Sequence, residues 1–269
     1  HEFCAEVVDY GPNTERSIAP GQLVCAAPVL LRKPMEPIGY SDKIPGGFAQ
    51  YMLLSESLIV PVPSGCSADL AALTEPMAVG LHAVNKAQLS GKEAILIIGA
   101  GPVGLAIITA LKLMNTGPII VSDFSPGRRK LAEAIGADIV INPAHTDPYL
   151  EPALRKREGT VIFECVGVPG MIDQIFLGAP KNAKIMIAGV CLQRDYIRPL
   201  IAINKELSLH FLLGWSMEEF TQSLRYIAEG KFDVSPLITG HTSLDGVATT
   251  FEALATPNDQ AKVLVKPWD

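Results

Sequence analysis

The sequence predicts an α/β chain, a doubly wound parallel sheet joined to a smaller β-rich part. Three observations carry this expectation. Strand and helix patterns alternate from about Leu70 to Leu213, the spacing of a parallel sheet with crossover helices. Runs such as Ala94-Ile95-Leu96-Ile97-Ile98 lack polar alternation, as a strand buried on both faces does. Residues 1–63 instead carry short alternating runs punctuated by Gly and Pro, the texture of a small barrel or sandwich.

In the first part, strands are expected at Ala5–Asp9, Gln22–Ala27, Ala49–Leu54 and Leu58–Val62. Pro28, Pro34, Pro37 and Pro45 mark loops between them. Met77–Ala87 has few breakers and predicts a helix. The sheet part then reads as strand Ala94–Ile98, helix Val103–Met114, strand Pro118–Ser122, helix Pro126–Ile135 and strand Asp138–Ile141. It continues with helix Pro148–Arg157, strand Val161–Cys165, helix Gly170–Leu177, and strands Lys184–Gly189 and Glu206–Leu213. Helices at Met217–Ala228 and Gly246–Leu254 and a strand at Ala261–Val265 close the chain. The expected division is therefore 1–77, 78–214 and 215–269, the last segment returning to the first domain.

Composition removes whole classes of function. The 269 residues are 48% hydrophobic and 19% charged, enough apolar material for a packed core. A net charge of −6 without a basic run gives no attraction to a phosphate backbone, so no nucleic-acid partner is expected. No apolar run reaches the roughly 20 residues that span a bilayer, so no membrane partner is expected either. The five cysteines, Cys4, Cys25, Cys66, Cys165 and Cys191, are odd in number and scattered, which suits a reduced, cytoplasmic setting.

The strongest local signal is Gly99-Ala100-Gly101-Pro102-Val103-Gly104, between an apolar strand and an apolar helix. Gly99 permits the tight turn, Gly101 lets a pyrophosphate approach the backbone, and Gly104 lets the helix pack close to the sheet. Pro102 and Val103 open the helix, where a missing N–H costs little and the remaining N–H groups favour an anion. Roughly 20 residues on, Asp123 ends the next apolar strand. A carboxylate there accepts the ribose hydroxyls of NAD and repels the 2′-phosphate of NADP. The whole is a Rossmann-type dinucleotide site, with NAD expected over NADP. Arg128 and Arg129 stand just beyond; either stacks on adenine or tolerates a phosphate, or both are solvated helix charges.

With the loop placed, the chain resembles the zinc-containing medium-chain alcohol dehydrogenase superfamily, most closely its polyol and threonine dehydrogenase branch. His1-Glu2-Phe3 followed by Glu6-Val7-Val8 and Gly11 is similar to the family's Gly-His-Glu segment, and Glu75-Pro76-Met77-Ala78-Val79 to the Glu-Pro segment of the polyol branch. Gly136-Ala137-Asp138, Glu164-Cys165-Val166-Gly167, Asn204-Lys205-Glu206 and Ala261-Lys262-Val263 also match.

The resemblance implies a GroES-like catalytic domain, here partial, beside the Rossmann domain. It implies His1 and Glu75 as ligands of one catalytic zinc, with Glu2 as the neighbouring carboxylate in the catalytic set. It puts Cys165 and Val166 along the adenosine and nicotinamide-ribose path, Gly189 and Val190 beside the nicotinamide, and Lys262 where a pyrophosphate-binding cation often stands. Cys165 reads equally well as plain core. Outside the family context, a lone His and a lone Glu before a proline are usually structural.

Two departures shape the expectation. The segment Cys25–Tyr51 holds only Cys25, so no structural zinc is expected. The chain begins on the ligand histidine, whereas the family has a few dozen residues before it, including a cysteine ligand. The zinc site of this chain is therefore expected to be incomplete and weak, with an exposed sheet edge. The implied reaction is NAD-dependent oxidation of a small secondary alcohol or polyol by a homodimer or homotetramer. Glu206–Leu213 is the strand expected to pair between subunits. A zinc-independent quinone-reductase-like member and a non-catalytic NAD-binding module are the alternatives.

Overall fold

A computed structural model of the chain describes residues 1–114, 116–255 and 259–269. The chain divides into two compact units. One comprises His1–Ala78, Trp215–Thr256 and Lys262–Asp269, the other Val79–Gly214 and Pro257–Ala261.

The second unit is a six-stranded sheet. Its elements are β1 (Glu93–Ile98), α1 (Pro102–Leu111), β2 (Ile119–Ser122), α2 (Pro126–Ile135) and β3 (Ile139–Ile141), then β4 (Gly159–Glu164), α3 (Met171–Gly178), β5 (Lys184–Ile187), α4 (Pro199–Lys205) and β6 (Ser208–Phe211). The strand order is β6-β5-β4-β1-β2-β3, with every pairing parallel. Building outward from β1 in one direction and then the other creates a switch point between β1 and β4. A ligand crevice forms there, at the carboxyl ends of the strands. The sheet is the expected α/β Rossmann architecture.

Burial follows from the apolar runs. Ala94 to Ile97 of β1 and Gly104 to Leu111 of α1 are all buried, and Leu96, Ile162, Ile185 and Phe176 belong to one core cluster. The helix ends are written locally. Ser125 Oγ accepts the Arg128 N–H at the start of α2, and Gly136 ends that helix in the left-handed region at φ 114°, where glycine carries no Cβ penalty.

Two expectations for this unit change. The expected helix Pro148–Arg157 is two short 3₁₀ turns, Pro148–Leu150 and Pro152–Arg155. Pro152 has no N–H and forces Glu151 out of the helical region, to ψ 120°, as a proline does to the residue before it. The helix α4 was not foreseen. Pro199 occupies its first turn and Glu206 ends it at φ 53°, and its seven residues are too few to show a helical period.

The first unit is assembled from small pieces. Leu23–Ala26 lies between Ala5–Glu6 and Ile59–Pro61 in an antiparallel three-stranded sheet. Val29–Leu30 pairs with Glu36–Pro37, and Ile238–Ser243 runs parallel to Lys262–Lys266. Helix Met217–Ala228 begins with a reciprocal capping box between Ser216 and Glu219. The helix Thr74–Ala87 carries the chain from this unit into the next. It starts three residues earlier than expected because Thr74, through its hydroxyl bond to the Ala71 carbonyl at 2.6 Å, is tied to the preceding turn.

The expected strand Ala49–Leu54 has no ladder partner among the described residues. Its alternation is real, since Tyr51 and Leu53 are exposed while Met52 and Leu54 pack on the Phe3, Ala26, Leu30 and Ile38 cluster. One-sided packing produced the period without a sheet. The strand Ile238–Ser243 was missed for the opposite reason: Gly240, His241 and Thr242 break the apolar pattern of a segment that is paired. Among the described residues no helix is long and apolar enough to cross a membrane.

Candidate functional site

The phosphate loop of the second unit depends on two glycines. Gly99 sits at φ +97°, and a Cβ there would lie 2.8 Å from Val166 Cγ2. A Cβ on Gly104 would lie 2.0 Å from the Gly99 carbonyl oxygen, so only glycine fits. Gly101 differs, because a Cβ there would meet nothing within 4 Å. That open space faces outward at the N-cap of α1, with Pro102 in the first turn and no capping side chain. Uncapped N–H groups beside open space form a place for an anion.

Asp123 is held by this loop. Its Oδ2 accepts the Ala100 N–H at 2.8 Å and its Oδ1 the Ser125 N–H at 2.7 Å. Each carboxylate oxygen retains a further lone pair, so two ribose hydroxyls can still be accepted. Arg129 turns back on the same turn, donating from Nη1 to the Asp123 and Phe124 carbonyls. Arg128 has a buried Nε without a protein partner.

On the other side of the switch point stands a residue that sequence reasoning passed over. Glu164 is 1% exposed, and its Oε1 accepts the Val166 and Gly167 N–H groups at 2.7 and 2.8 Å. It shapes the turn after β4. Gly189 packs against that turn, where a Cβ would lie 2.5 Å from Glu164 Oε2. Val166 and Val190 are left exposed. Burial, and secondarily Glu164, push the Cys165 thiol well above its ordinary value. Glu164, Gly167, Gly189, Val190 and Phe211 line a cleft of about 290 Å³.

In the first unit, His1, Glu2 and Glu75 each offer a ligand atom, all within 4.8 Å of one another. His1 Nε2 is 3.8 Å from Glu75 Oε2. The imidazole stacks on Tyr40 with ring centroids 4.7 Å apart. Trp215 Nε1 donates to Glu75 Oε1 at 3.0 Å, and the indole packs on Phe220 at 4.5 Å. Burial raises the Glu75 carboxyl above the ordinary glutamate value, the Trp215 hydrogen bond opposes that, and the Glu2 charge adds to it. Burial, then Glu75 and Glu2, also raise the Tyr40 phenol. A half-buried cluster of two carboxylates and an imidazole gains from a cation. Its nitrogen and oxygen donors suit zinc with an open position.

Lys262 Nζ donates to Glu2 Oε2 at 2.5 Å, so in this structure its charge is engaged by the Glu2 carboxylate. Trp215 and Tyr40 were not anticipated. Neither belongs to a motif, and Trp215 reaches Glu75 across 140 positions.

Comparison with known proteins shows the family. Residues 102–229 match the family model described as zinc-binding dehydrogenase. The (R,R)-butanediol dehydrogenase of Bacillus subtilis is 30% identical over 99% of this chain and 80% of its own length. Its crystal structure superposes with a TM-score of 0.86. The sorbitol dehydrogenase of Bacillus subtilis is 30% identical over 83% of this chain, which spans 64% of that protein. A zinc-binding dehydrogenase of Sinorhizobium meliloti, solved with NADP bound, is 25% identical over 99% of this chain and 82% of its own, with a TM-score of 0.86. The chain belongs to the zinc-type medium-chain dehydrogenase superfamily, in its polyol and threonine dehydrogenase branch.

Proposed function

We propose that this chain is an oxidoreductase that moves hydride between a small secondary alcohol, of the diol or polyol class, and NAD, with one zinc at His1 and Glu75. The observation that carries this reading is the His1, Glu2 and Glu75 cluster in the same chain as a glycine loop that holds an acid at the ribose position. The names of the relatives, butanediol and sorbitol dehydrogenases, support the alcohol class. A quinone-reductase-like reading has no use for an imidazole set 3.8 Å from a glutamate carboxylate.

His1 and Glu75 would hold zinc, which when bound supplies the Lewis acidity that favours an alkoxide over an alcohol. Trp215 fixes Glu75 Oε1 and so leaves Oε2 to turn towards the imidazole. Glu2, paired with Lys262, would offer the metal a second carboxylate. NAD would accept the hydride at its nicotinamide ring. Gly101 and the start of α1 bind its pyrophosphate, and Asp123 its adenine ribose. Val166, Gly189 and Val190 would flank the nicotinamide side of the cofactor. Arg128, whose Nε has no protein partner, would add a cofactor contact in the second unit; Lys262, expected as a cofactor cation, is engaged by Glu2 in this structure.

The same reading takes the protein as a cytoplasmic homo-oligomer. The edge strand β6 supports the second point, since Phe211 stands 72% exposed on it. Calorimetric titration with NAD and NADP, with zinc measured on the same sample, tests the proposal. NAD binding at least tenfold tighter than NADP is expected, together with zinc uptake that His1→Ala and Glu75→Ala remove. Equal affinity for both cofactors, or zinc retained in both variants, contradicts it.

A further inference from the structure

Cys4 and Cys25 stand on neighbouring strands of the first unit, in register. Ala5 pairs with Val24 and Glu6 with Leu23, so the ladder extended by one residue sets Cys4 opposite Cys25. The Val7 N–H donates to the Gln22 carbonyl at 3.0 Å. Hydrogen-bonded and non-hydrogen-bonded pairs alternate along an antiparallel ladder, and counting back from Val7 makes Cys4 and Cys25 a non-hydrogen-bonded pair. Such pairs have Cα atoms about 4.5 Å apart and side chains on the same face, inside the range of roughly 4.4–6.8 Å that a disulfide spans. The two side chains therefore lie on one face of the ladder, and Cys25 is the neighbour that most perturbs the Cys4 thiol.

The two sulfurs differ in access. Cys25 is fully buried, while Cys4 is half-buried. Cys25 also donates to the Ala71 carbonyl at 3.2 Å and accepts from the Thr74 hydroxyl at 3.7 Å. Cys66 lies near enough to Cys4 to interact electrostatically, but it is in the turn before Ser67, where its thiol leans on the Ser67 carbonyl at 3.8 Å. It has no register with Cys4.

We propose that Cys4 and Cys25 form a redox-modification site, in which a hydroperoxide converts the pair to a cross-strand disulfide. The Cys4 thiolate attacks the distal oxygen of the peroxide, the O–O bond breaks, and water or the corresponding alcohol leaves after taking a proton. Cys4 is then a sulfenic acid. The Cys25 sulfur attacks the Cys4 sulfur, its proton passes to the leaving hydroxyl, and water departs as the S–S bond forms. Two thiols lose two electrons and two protons, and the peroxide takes both. A dithiol reverses the bond by exchange. The bond would tie the segment after His1 and Glu2 to the strand whose Cys25 contacts Thr74, beside Glu75.

The test is hydrogen peroxide treatment of the intact chain, alkylation of remaining thiols, and tryptic mass mapping without reductant. Cys4, Cys25 and Cys66 fall in separate peptides, His1–Arg16, Ser17–Arg32 and Ile44–Lys86. The expected product is the first two peptides joined, with the loss of two hydrogen atoms, and their release by dithiothreitol. Cys66→Ser is expected to give the same product. Joining of the first and third peptides overturns the proposal, as does peroxide treatment that leaves Cys4 only as thiol or as unlinked oxyacid.

Discussion

Trp215 Nε1 donates a hydrogen bond of 3.0 Å to Glu75 Oε1. This contact links the start of the segment that re-enters the first unit to the helix that carries the carboxylate. Without the indole, Glu75 Oε1 would lose this donor. Trp215→Phe keeps the ring on Phe220 and removes only the N–H. Groups that orient a metal ligand typically contribute 10–100-fold to affinity, so zinc affinity, measured by competition with a chromophoric chelator, is expected to fall about tenfold. The melting temperature should change little.

The glycine loop offers a paired test of structure against ligand. Gly104→Ala drives a Cβ onto the Gly99 carbonyl, at 2.0 Å. Overpacking of this kind costs about 1–3 kcal/mol or more, and here both neighbours are backbone. Urea denaturation should show that loss. Gly101→Ala meets nothing, so its stability should match the parent while NAD affinity falls at least tenfold. A Gly101→Ala protein that binds NAD normally would remove the pyrophosphate from that position.

Asp123 holds the loop, and its proposed recognition of the ribose can be separated from that task. Asp123→Ser gives up hydrogen bonds to a charged group, each about 1.5–3 kcal/mol, so NAD affinity should fall by tenfold or more. Removing the negative charge should spare or improve NADP binding. Titration with both cofactors checks this, and a parallel loss of both affinities would mean that Asp123 only holds the loop.

A third carboxylate sets an acid limit on stability. Burial pushes Asp69 up, but hydrogen bonds from Lys266 and His241, the latter at 2.9 Å, outweigh it and hold the carboxyl below the ordinary aspartate value. A carboxyl lowered in the folded state contributes stability above its unfolded value, and that contribution is lost as pH falls through the folded value. The melting temperature should therefore drop as pH falls below the ordinary aspartate range. In Asp69→Asn the drop should be shallower and start from a lower neutral-pH value. Thermal scans across acid pH measure both.

The legible parts of the fold share a cause. The strand β1, the loop and α1 were readable because buried parallel strands are uniformly apolar and because Gly99 and Gly104 answer local steric demands. The first unit was less legible. Its strands are two to six residues long, too short for a period, and Ala49–Leu54 shows that alternation can mark one-sided packing. The ligand cluster had a different signal. His1 and Glu75 stood out only through the resemblance, because their 74-position separation carries no local pattern. Trp215 and Tyr40 act through tertiary contacts and left no trace in spacing, whereas Glu164 stood in the segment Glu164-Cys165-Val166-Gly167 and its local bonds to Val166 and Gly167 were not read from it.

The central claim is tested most directly by turnover. NADH formation at 340 nm is followed with butane-2,3-diol and sorbitol, before and after dialysis against a zinc chelator, and again after zinc is restored. The account predicts NADH formation that depends on the alcohol, disappears with the metal, and returns with zinc but not in Glu75→Ala. Turnover unchanged by the chelator, or retained in Glu75→Ala, would contradict it.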